Sequence, residues 1–254
     1  MRFGLASVTC SVMASGGAAL LHAEEFTSDG VKIHYVVEGK GEPVILVHGL
    51  YSSAKMNWVM PGTVTELAQH YQVIAFDNRG HGQSDKPEAE DQYGVRMVED
   101  VVRLMDYLHV RKAHVVGYSL GGMITLKLLT MHPERVNSAV LGGMGWLKAD
   151  SPLQHFWEEI KGRRNTKVPA ACVRGIAKLS VTEDQIKAVR VPVSIIVGER
   201  DPCRRLYVEP LLQVRPEWPE HVIPDAGHIN CVLKPAFETQ IRAALDRSRP
   251  TRTP

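Results

Sequence analysis

Ser119 lies between two glycines, in the order Gly117-Tyr118-Ser119-Leu120-Gly121. The apolar run before it has the pattern of a buried strand, and the residues after it have the pattern of a helix. A sharp turn from strand to helix strains the corner residue, and glycines two positions away on either side avoid a clash there. The partial positive charge at a helix N-terminus favours an anion formed during attack. The pattern therefore predicts that Ser119 is a nucleophile rather than a structural turn residue.

A serine hydroxyl needs a base, and that base needs an acid to orient it. Asp201 follows the apolar run "VSIIVG", and His228 follows the shorter run "HVI". Both therefore lie after predicted strands, where open α/β sheets place their sites. Asp225 is an alternative acid, but it is so close along the chain to His228 that it is better suited to shaping that loop. These positions after predicted strands indicate that Ser119, Asp201 and His228 form a catalytic triad.

The chain contains eleven histidines, so His228 has competitors. His48 is expected to brace a turn, His81 lies in a glycine-rich loop, and His114 begins the strand that leads to Ser119. The remaining competitors considered have no acid in the matching order: His22, His132 and His155.

The elements that must position these residues alternate between strand and helix. Short apolar runs that end in glycine or aspartate fit strands buried on both faces of a parallel sheet. Apolar residues three or four apart, as from Val95 to Leu108, build the buried stripe of a helix. Asp29-Gly30 between two alternating runs indicates a β-hairpin. The sequence predicts an α/β fold with a doubly wound, mostly parallel sheet.

The alternation pauses at about residues 146–190, which read as helices without strands. Ser151 with Gln154, and Thr182 with Gln185, have the spacing of capping boxes. We expect a short helical lid inserted at the carboxyl edge of the sheet. An ordinary pair of surface helices is the alternative.

Composition limits the classes of partner. Lys plus Arg number 30 and Asp plus Glu number 28. This balance predicts no binding of nucleic acid and no strong attraction to an anionic membrane. No Cys/His spacing suggests zinc. The spacing therefore predicts no zinc site, and the oligomeric state stays open.

The N-terminus has the layout of a secretory signal peptide: Arg2, an uncharged stretch to Leu21, small residues and then Glu24. We expect a signal peptide over residues 1–23 and a single domain over residues 24–254, with cleavage after Ala19 as an alternative. The stretch is followed by no stop-transfer pattern, so a stable membrane anchor is not expected. This predicts export to the periplasm or beyond.

Five segments, in this order, resemble the α/β-hydrolase fold family: "VILVHGL", "DNRGHGQSD", "VVGYSLGGM", "VPVSIIVGERDP" and "DAGH". The resemblance implies that Ser119 is the nucleophile, that His228 is the base and then the acid, and that Asp201 orients His228. It also implies an oxyanion hole made by the backbone N–H groups of Leu50 and Leu120. In the second segment, it implies structural roles in the loop for Asp77, Arg79 and Ser84.

A serine at this corner disfavours the epoxide-opening and dehalogenating relatives, which use aspartate there. The resemblance then implies a serine esterase-like hydrolase that cleaves an ester, lactone or thioester of a small, mostly apolar substrate through an acyl-enzyme. It implies a small-molecule substrate as the partner and a cycle that needs no metal and no cofactor. Alternatives with the same triad are a C–C hydrolase and a cofactor-free peroxidase. A ligand-binding protein of this fold with little turnover is a third alternative.

The pocket walls are expected from residues near the strand ends and on the predicted lid. Each of these residues could equally be plain core or lid packing. The expected set is Leu50, Tyr51, Met144, Trp146, Phe156, Trp157 and Ile229.

Cys203 follows Asp201 by two residues, and Cys231 follows His228 by three. If the triad forms, their loops are neighbours. A disulfide between them in an oxidising compartment and two unrelated thiols are equally compatible with the sequence.

Overall fold

The computed structural model describes residues 22–163 and 166–248. Its centre is one eight-stranded sheet with the strand order β1-β2-β4-β3-β5-β6-β7-β8. Strand β2 pairs in antiparallel fashion with both of its neighbours, β1 and β4, and all pairs from β4 across to β8 are parallel. The strands are β1 (His22–Ser28), β2 (Val31–Glu38), β3 (Glu42–Val47), β4 (Tyr71–Phe76), β5 (Ala113–Tyr118), β6 (Val136–Gly142), β7 (Val193–Gly198) and β8 (Glu220–Ile223).

Helices connect the strands. The α-helices are α1 (Thr63–Leu67), α2 (Val95–Tyr107), α3 (Leu120–Met131), α4 (Pro152–Glu159), α5 (Ala170–Gly175), α6 (Glu183–Ala188), α7 (Glu209–Val214) and α8 (Pro235–Arg247). Two short π-helical segments cover Lys55–Val59 and Arg204–Val208. Four 3-10 turns cover Glu90–Gln92, Pro133–Arg135, Ile176–Leu179 and Cys231–Leu233. The prediction of a doubly wound, mostly parallel α/β sheet is confirmed.

The core lies on both faces of the sheet because successive strand residues point to opposite sides. In β3, Ile45 and Val47 belong to the apolar cluster on one face, while Val44 and Leu46 belong to the cluster on the other. Residues of α2 and α3 complete the first cluster. Residues of α1 and α8 complete the second. Burial on both faces explains why the strands read as continuous apolar runs.

The predicted hairpin joins β1 to β2. Ser28 pairs with Val31, and the two residues between them have positive φ: 50° at Asp29 and 78° at Gly30. Asp and Gly are common at these positions because both tolerate the left-handed region.

Between β6 and β7 the chain forms α4, α5, a 3-10 turn and α6, and its described residues contain no strand beyond one isolated bridge. Thr182 caps α6, and its side chain and that of Gln185 form the predicted capping box. At α4, Ser151 accepts from the Gln154 N–H, whereas the Gln154 side chain accepts from Asp150 rather than from Ser151. The gating role expected of a lid stays a prediction.

The predictions for residues 1–21, including most of the leader, lie outside the described residues. Strand β1 begins at His22, so a cut after Ala23 would remove its first two residues. Among the described residues, every helix is too short or too polar to cross a bilayer.

Candidate active site

The turn from β5 to α3 places Ser119 at a strained corner. Its φ of 54° and ψ of −117° lie in a region that most L-residues avoid. A Cβ on Gly117 would lie 2.1 Å from Gly121 O, and one on Gly121 would lie 2.0 Å from Val47 O. Both positions therefore require glycine. The close packing turns the Ser119 side chain out of the sheet edge, where it is half-buried.

Three loops at the carboxyl edge of the sheet bring the predicted triad together. Ser119 Oγ lies 2.8 Å from His228 Nε2, and His228 Nδ1 lies 2.8 Å from Asp201 Oδ2. Both distances are those of good hydrogen bonds. The Asp201 side chain is fully buried, while His228 is 30 % exposed. The second carboxylate oxygen of Asp201 accepts the Cys203 N–H at 2.9 Å, which fixes the carboxylate.

The alternative acid, Asp225, does not reach His228. Its exposed side chain pairs with Arg200 across the surface. Its φ of 52° and the bond from its N–H to Glu199 at 3.0 Å show that it shapes the loop before His228. This agrees with the role expected from the sequence.

The loop after β3 lies against Ser119. A Cβ on Gly49 would lie 3.2 Å from Ser119 Cβ, so this glycine gives the loop its close approach. Leu50 and Leu120 line the same cavity as Ser119. Among the described residues, neither backbone N–H has a hydrogen-bond acceptor, so both remain available to an oxyanion.

His48 braces this loop, as expected. Its Nδ1–H donates to Gly49 O at 2.7 Å, and its Nε2 accepts the Asn78 N–H at 2.9 Å. Burial lowers the pKa of His48 below its usual value. His81 packs beside it with ring centroids 5.2 Å apart. Burial, followed by the neighbouring His48, lowers the pKa of His81 to about 3. The histidine pair is therefore neutral and structural.

Asp77, Arg79 and Ser84 hold the following loop. Asp77 accepts the Ala54 and Gln83 N–H groups, both at 2.8 Å. Arg79 makes a buried, bidentate ion pair with Asp100, with contacts of 2.7 and 2.6 Å. Ser84 Oγ donates to Asp77 O at 2.6 Å. These contacts fix the loop after β4 and, through Ala54, tie it to the segment after β3, which agrees with the structural roles expected from the sequence.

A cavity of about 640 Å³ opens above Ser119, a size typical of small-molecule sites. Six of the seven residues expected in the pocket line it: Leu50, Tyr51, Met144, Phe156, Trp157 and Ile229.

Trp146 does not line this cavity, which corrects that part of the prediction. Its side chain is buried in the core, and its Nε1–H donates to Val181 O at 2.7 Å. The chain after β6 approaches the segment around Tyr207 so closely that a Cβ on Gly145 would lie 2.2 Å from Tyr207 O. This approach turns the indole away from the site.

Three further cavity residues were not expected from the sequence. Asn57 Oδ1 accepts the Gly49 N–H at 2.8 Å and so holds the loop that carries Leu50. Tyr118 donates its phenol O–H to the main-chain oxygen of His228. Arg163 is the only Lys or Arg among the described residues that line the cavity, and its guanidinium lies 5.4 Å from the Tyr51 ring centroid. In the sequence, the position of Tyr118 directly before Ser119 and of Asn57 shortly after the "HGL" segment could have indicated that these two residues lie near the site.

Cys203 and Cys231 are both free thiols in this structure. Burial raises the pKa of each to about 12. Asp201, Cys203 and His228 place a carboxylate, a thiol and an imidazole within 4.8 Å of one another. A protonated thiol is a poor metal ligand, and the other two groups are bonded to each other. The absence of a metal requirement stays a prediction.

The sequence matches the model of the α/β-hydrolase fold family over residues 42–172, just over half of the chain. This chain therefore belongs to the α/β-hydrolase fold family. It is 36 % identical over 129 residues to 2-hydroxy-6-oxo-6-(2'-aminophenyl)hexa-2,4-dienoic acid hydrolase of Metapseudomonas resinovorans, covering 50 % of this chain and 44 % of that protein.

Two further similarities agree with the family. The chain is 31 % identical over 177 residues to cis-3-alkyl-4-alkyloxetan-2-one decarboxylase of Shewanella oneidensis, covering 67 % of this chain and 54 % of that protein. The enol-lactonase of Burkholderia xenovorans superposes with a TM-score of 0.69 at 21 % identity, covering 88 % of this chain and all of that one. The chain thus spans about half the length of the curated relatives it matches.

Proposed function

We propose that this protein is a serine hydrolase that cleaves a carboxylic ester, lactone or thioester of a small, mostly apolar substrate. The observation that carries the proposal is the hydrogen-bonded chain from Ser119 through His228 to Asp201, with both links at 2.8 Å. An oriented imidazole beside a hydroxyl is the arrangement that nucleophilic acyl transfer requires.

In the proposed cycle, His228 Nε2 accepts the Ser119 proton as Oγ attacks the acyl carbon. The oxyanion is stabilised by the N–H groups of Leu50 and Leu120. The buried Asp201 carboxylate stabilises the imidazolium, which then protonates the leaving alcohol or thiol. Water deprotonated by His228 releases the acid and restores Ser119.

The cavity walls support an apolar acyl or alkyl group. Met144, Trp157 and Ile229 supply apolar surface. His228 and the N–H groups of Leu50 and Leu120 line the same cavity as Ser119, where they would orient the reacting carbonyl.

A C–C hydrolase is the second candidate, and Arg163 is the observation that favours it. A guanidinium at the cavity wall could pair with a substrate carboxylate. The Metapseudomonas relative is named for the hydrolysis of a dienoic acid. An ester substrate that carries a carboxylate would use the same contact, so activity decides between the two.

The test is turnover of short aryl and alkyl esters, lactones and vinylogous 1,5-diketo acids by the wild type and by Ser119→Ala. We expect ester or lactone turnover that the alanine variant loses. Turnover of the diketo acid alone would support the C–C hydrolase. Reaction with a fluorophosphonate but turnover of none of these compounds would favour a ligand-binding protein.

We also infer export of the protein. The leader begins with a charged residue, continues with an uncharged stretch and ends with small residues, and this order supports export. N-terminal sequencing of protein from the periplasm or medium tests it, and a mature N-terminus between residues 20 and 24 is expected. Uncleaved protein confined to the cytoplasm would contradict export.

A further inference from the structure

Exposed apolar side chains border the mouth of the Ser119 cavity. Four of the residues that line it are largely exposed: Met56 by 53 %, Phe156 by 53 %, Leu233 by 59 % and Ile229 by 85 %. They come from three separate parts of the chain: the segment after β3, helix α4 and the segment after β8. Exposed apolar groups gathered in one place indicate an interaction surface.

Two more exposed apolar side chains lie next to these segments along the chain. Met60 follows the π-helical segment that carries Met56, and Leu206 precedes the cavity residue Tyr207. The segment of Met56 contacts the turn that contains Leu233. We call these residues the apolar rim: Met56, Met60, Phe156, Leu206, Ile229 and Leu233. They are six of the eight large hydrophobic side chains that are exposed among the described residues.

Basic residues accompany the apolar rim. Lys55 precedes Met56, Arg205 precedes Leu206, and Lys234 follows Leu233. Arg163 lies at the cavity wall itself. None of these four has an ion-pair partner within 4 Å among the described residues.

Acidic residues are also present, on α4. Glu158 lies 3.0 Å from His155, and Glu159 follows it. The four named cations outnumber these two acids of α4, one of which is paired with His155, although the net charge of the whole chain is only +2.

Apolar side chains flanked by Lys and Arg fit the boundary between headgroups and acyl chains of an anionic bilayer. We propose that the apolar rim docks reversibly on an anionic phospholipid surface, with the mouth of the Ser119 cavity facing the lipid. This surface requires no spanning helix and differs from the stable anchor that the sequence argues against. The balanced charge of the whole chain predicts no strong attraction to an anionic membrane, so the proposal rests on the cations gathered beside the apolar rim and not on net charge. It goes beyond the proposed function because docking does not depend on the Ser119 hydroxyl.

One consequence rests on the proposed function. An amphiphilic ester dissolved in the bilayer would reach Ser119 without passing through water. Apolar cavity walls that continue into an apolar rim provide that path.

The test is sedimentation of Ser119→Ala protein with vesicles of equal parts phosphatidylcholine and phosphatidylglycerol, so that no lipid is hydrolysed. We expect binding that is weaker on pure phosphatidylcholine and falls with added salt. Replacing Lys55 and Arg205 together by Gln should lower partitioning roughly 25-fold, from about fivefold per charge. The matched control replaces Arg111 and Lys112 together by Gln. These residues precede β5 at the opposite edge of the sheet, so this variant should partition onto the vesicles nearly as well as the unsubstituted protein.

A second pair of variants tests the apolar contribution. Met60→Ser with Leu206→Ser should weaken binding, whereas Val222→Ser on β8 should not. Failure to bind anionic vesicles at low salt, or equal losses in rim and control variants, would overturn the proposal. Self-association that the rim variants abolish, without vesicle binding, would assign the rim to a second copy of this chain. Vesicle binding without soluble-ester turnover would reject only the proposed function.

Discussion

The Tyr118 phenol donates its hydrogen bond to the main-chain oxygen of His228, so the residue before the nucleophile holds the loop that carries the base. The two rings also pack with centroids 5.6 Å apart. Tyr118 is buried, and burial raises the pKa of its phenol well above the usual value. The phenol therefore remains protonated at neutral pH and can donate this hydrogen bond.

Tyr118→Phe should lower kcat about two- to tenfold with little change in KM. The ring remains, but one hydrogen bond that positions His228 is lost. Tyr93→Phe is the matched control, because the Tyr93 phenol also donates to a main-chain carbonyl, Pro87 O at 2.6 Å. The control should lower the melting temperature to a similar extent and leave kcat unchanged. Equal kcat values in both variants would remove the positioning role from Tyr118.

Asp201→Asn should lower kcat by roughly 10⁴ while the fold is retained. The amide cannot stabilise the imidazolium, and it favours the wrong tautomer of His228. Steady-state kinetics alongside circular dichroism measure this. Asp225→Asn should keep activity within about twofold, because Asp225 pairs with Arg200 at the surface. If the two variants swapped these effects, the acid would be misassigned.

Asn57→Ala should lower kcat by roughly 10- to 100-fold, with a smaller effect on KM. The Gly49 N–H would lose its acceptor, and the loop carrying the Leu50 donor would lose its support. Ser53→Ala serves as the control, since Ser53 accepts the Met56 N–H at 3.2 Å in the same segment but does not line the cavity. Wild-type kcat in Asn57→Ala would show that Leu50 needs no such support.

Acid should destabilise the protein through the buried histidines. The folded-state pKa of His81 is lowered from 6.5 to about 3, so the unfolded chain binds the extra proton first as the pH falls. The stabilisation is complete above pH 6.5 and is lost between there and about pH 3, at up to about 1.4 kcal/mol per pH unit. The lowered pKa of His48 acts in the same direction.

Denaturant unfolding across this range checks the histidine prediction. His81→Asn should reduce the number of protons taken up on acid unfolding by about one, and so lower the slope of stability against pH relative to the wild type. An unchanged slope in His81→Asn would show that His81 does not contribute to the acid dependence.

The triad could be predicted from the sequence because each member follows a strand. Parallel strands bring their carboxyl ends to one edge, and the glycines around Ser119 leave few alternatives to a sharp turn. The same argument could not find Asn57, whose role depends on where the side chain meets Gly49. The partner of the Tyr118 phenol likewise depends on a loop more than a hundred residues away.

Trp146 shows where sequence position misleads. Both Met144 and Trp146 follow β6, but Gly143 has a φ of 57° and Gly145 packs directly against Tyr207. The positive φ at Gly143 and the close packing at Gly145 direct the Met144 side chain to the cavity and the Trp146 side chain to the core. Backbone direction after a strand is set by tertiary packing, which residue spacing does not reveal.

Mass spectrometry of the protein after reaction with a fluorophosphonate tests the central claim most directly. We predict a single adduct that maps to Ser119, is absent in Ser119→Ala and forms much more slowly in His228→Gln. An adduct on another residue, or equal labelling rates in the wild type and His228→Gln, would contradict an activated Ser119.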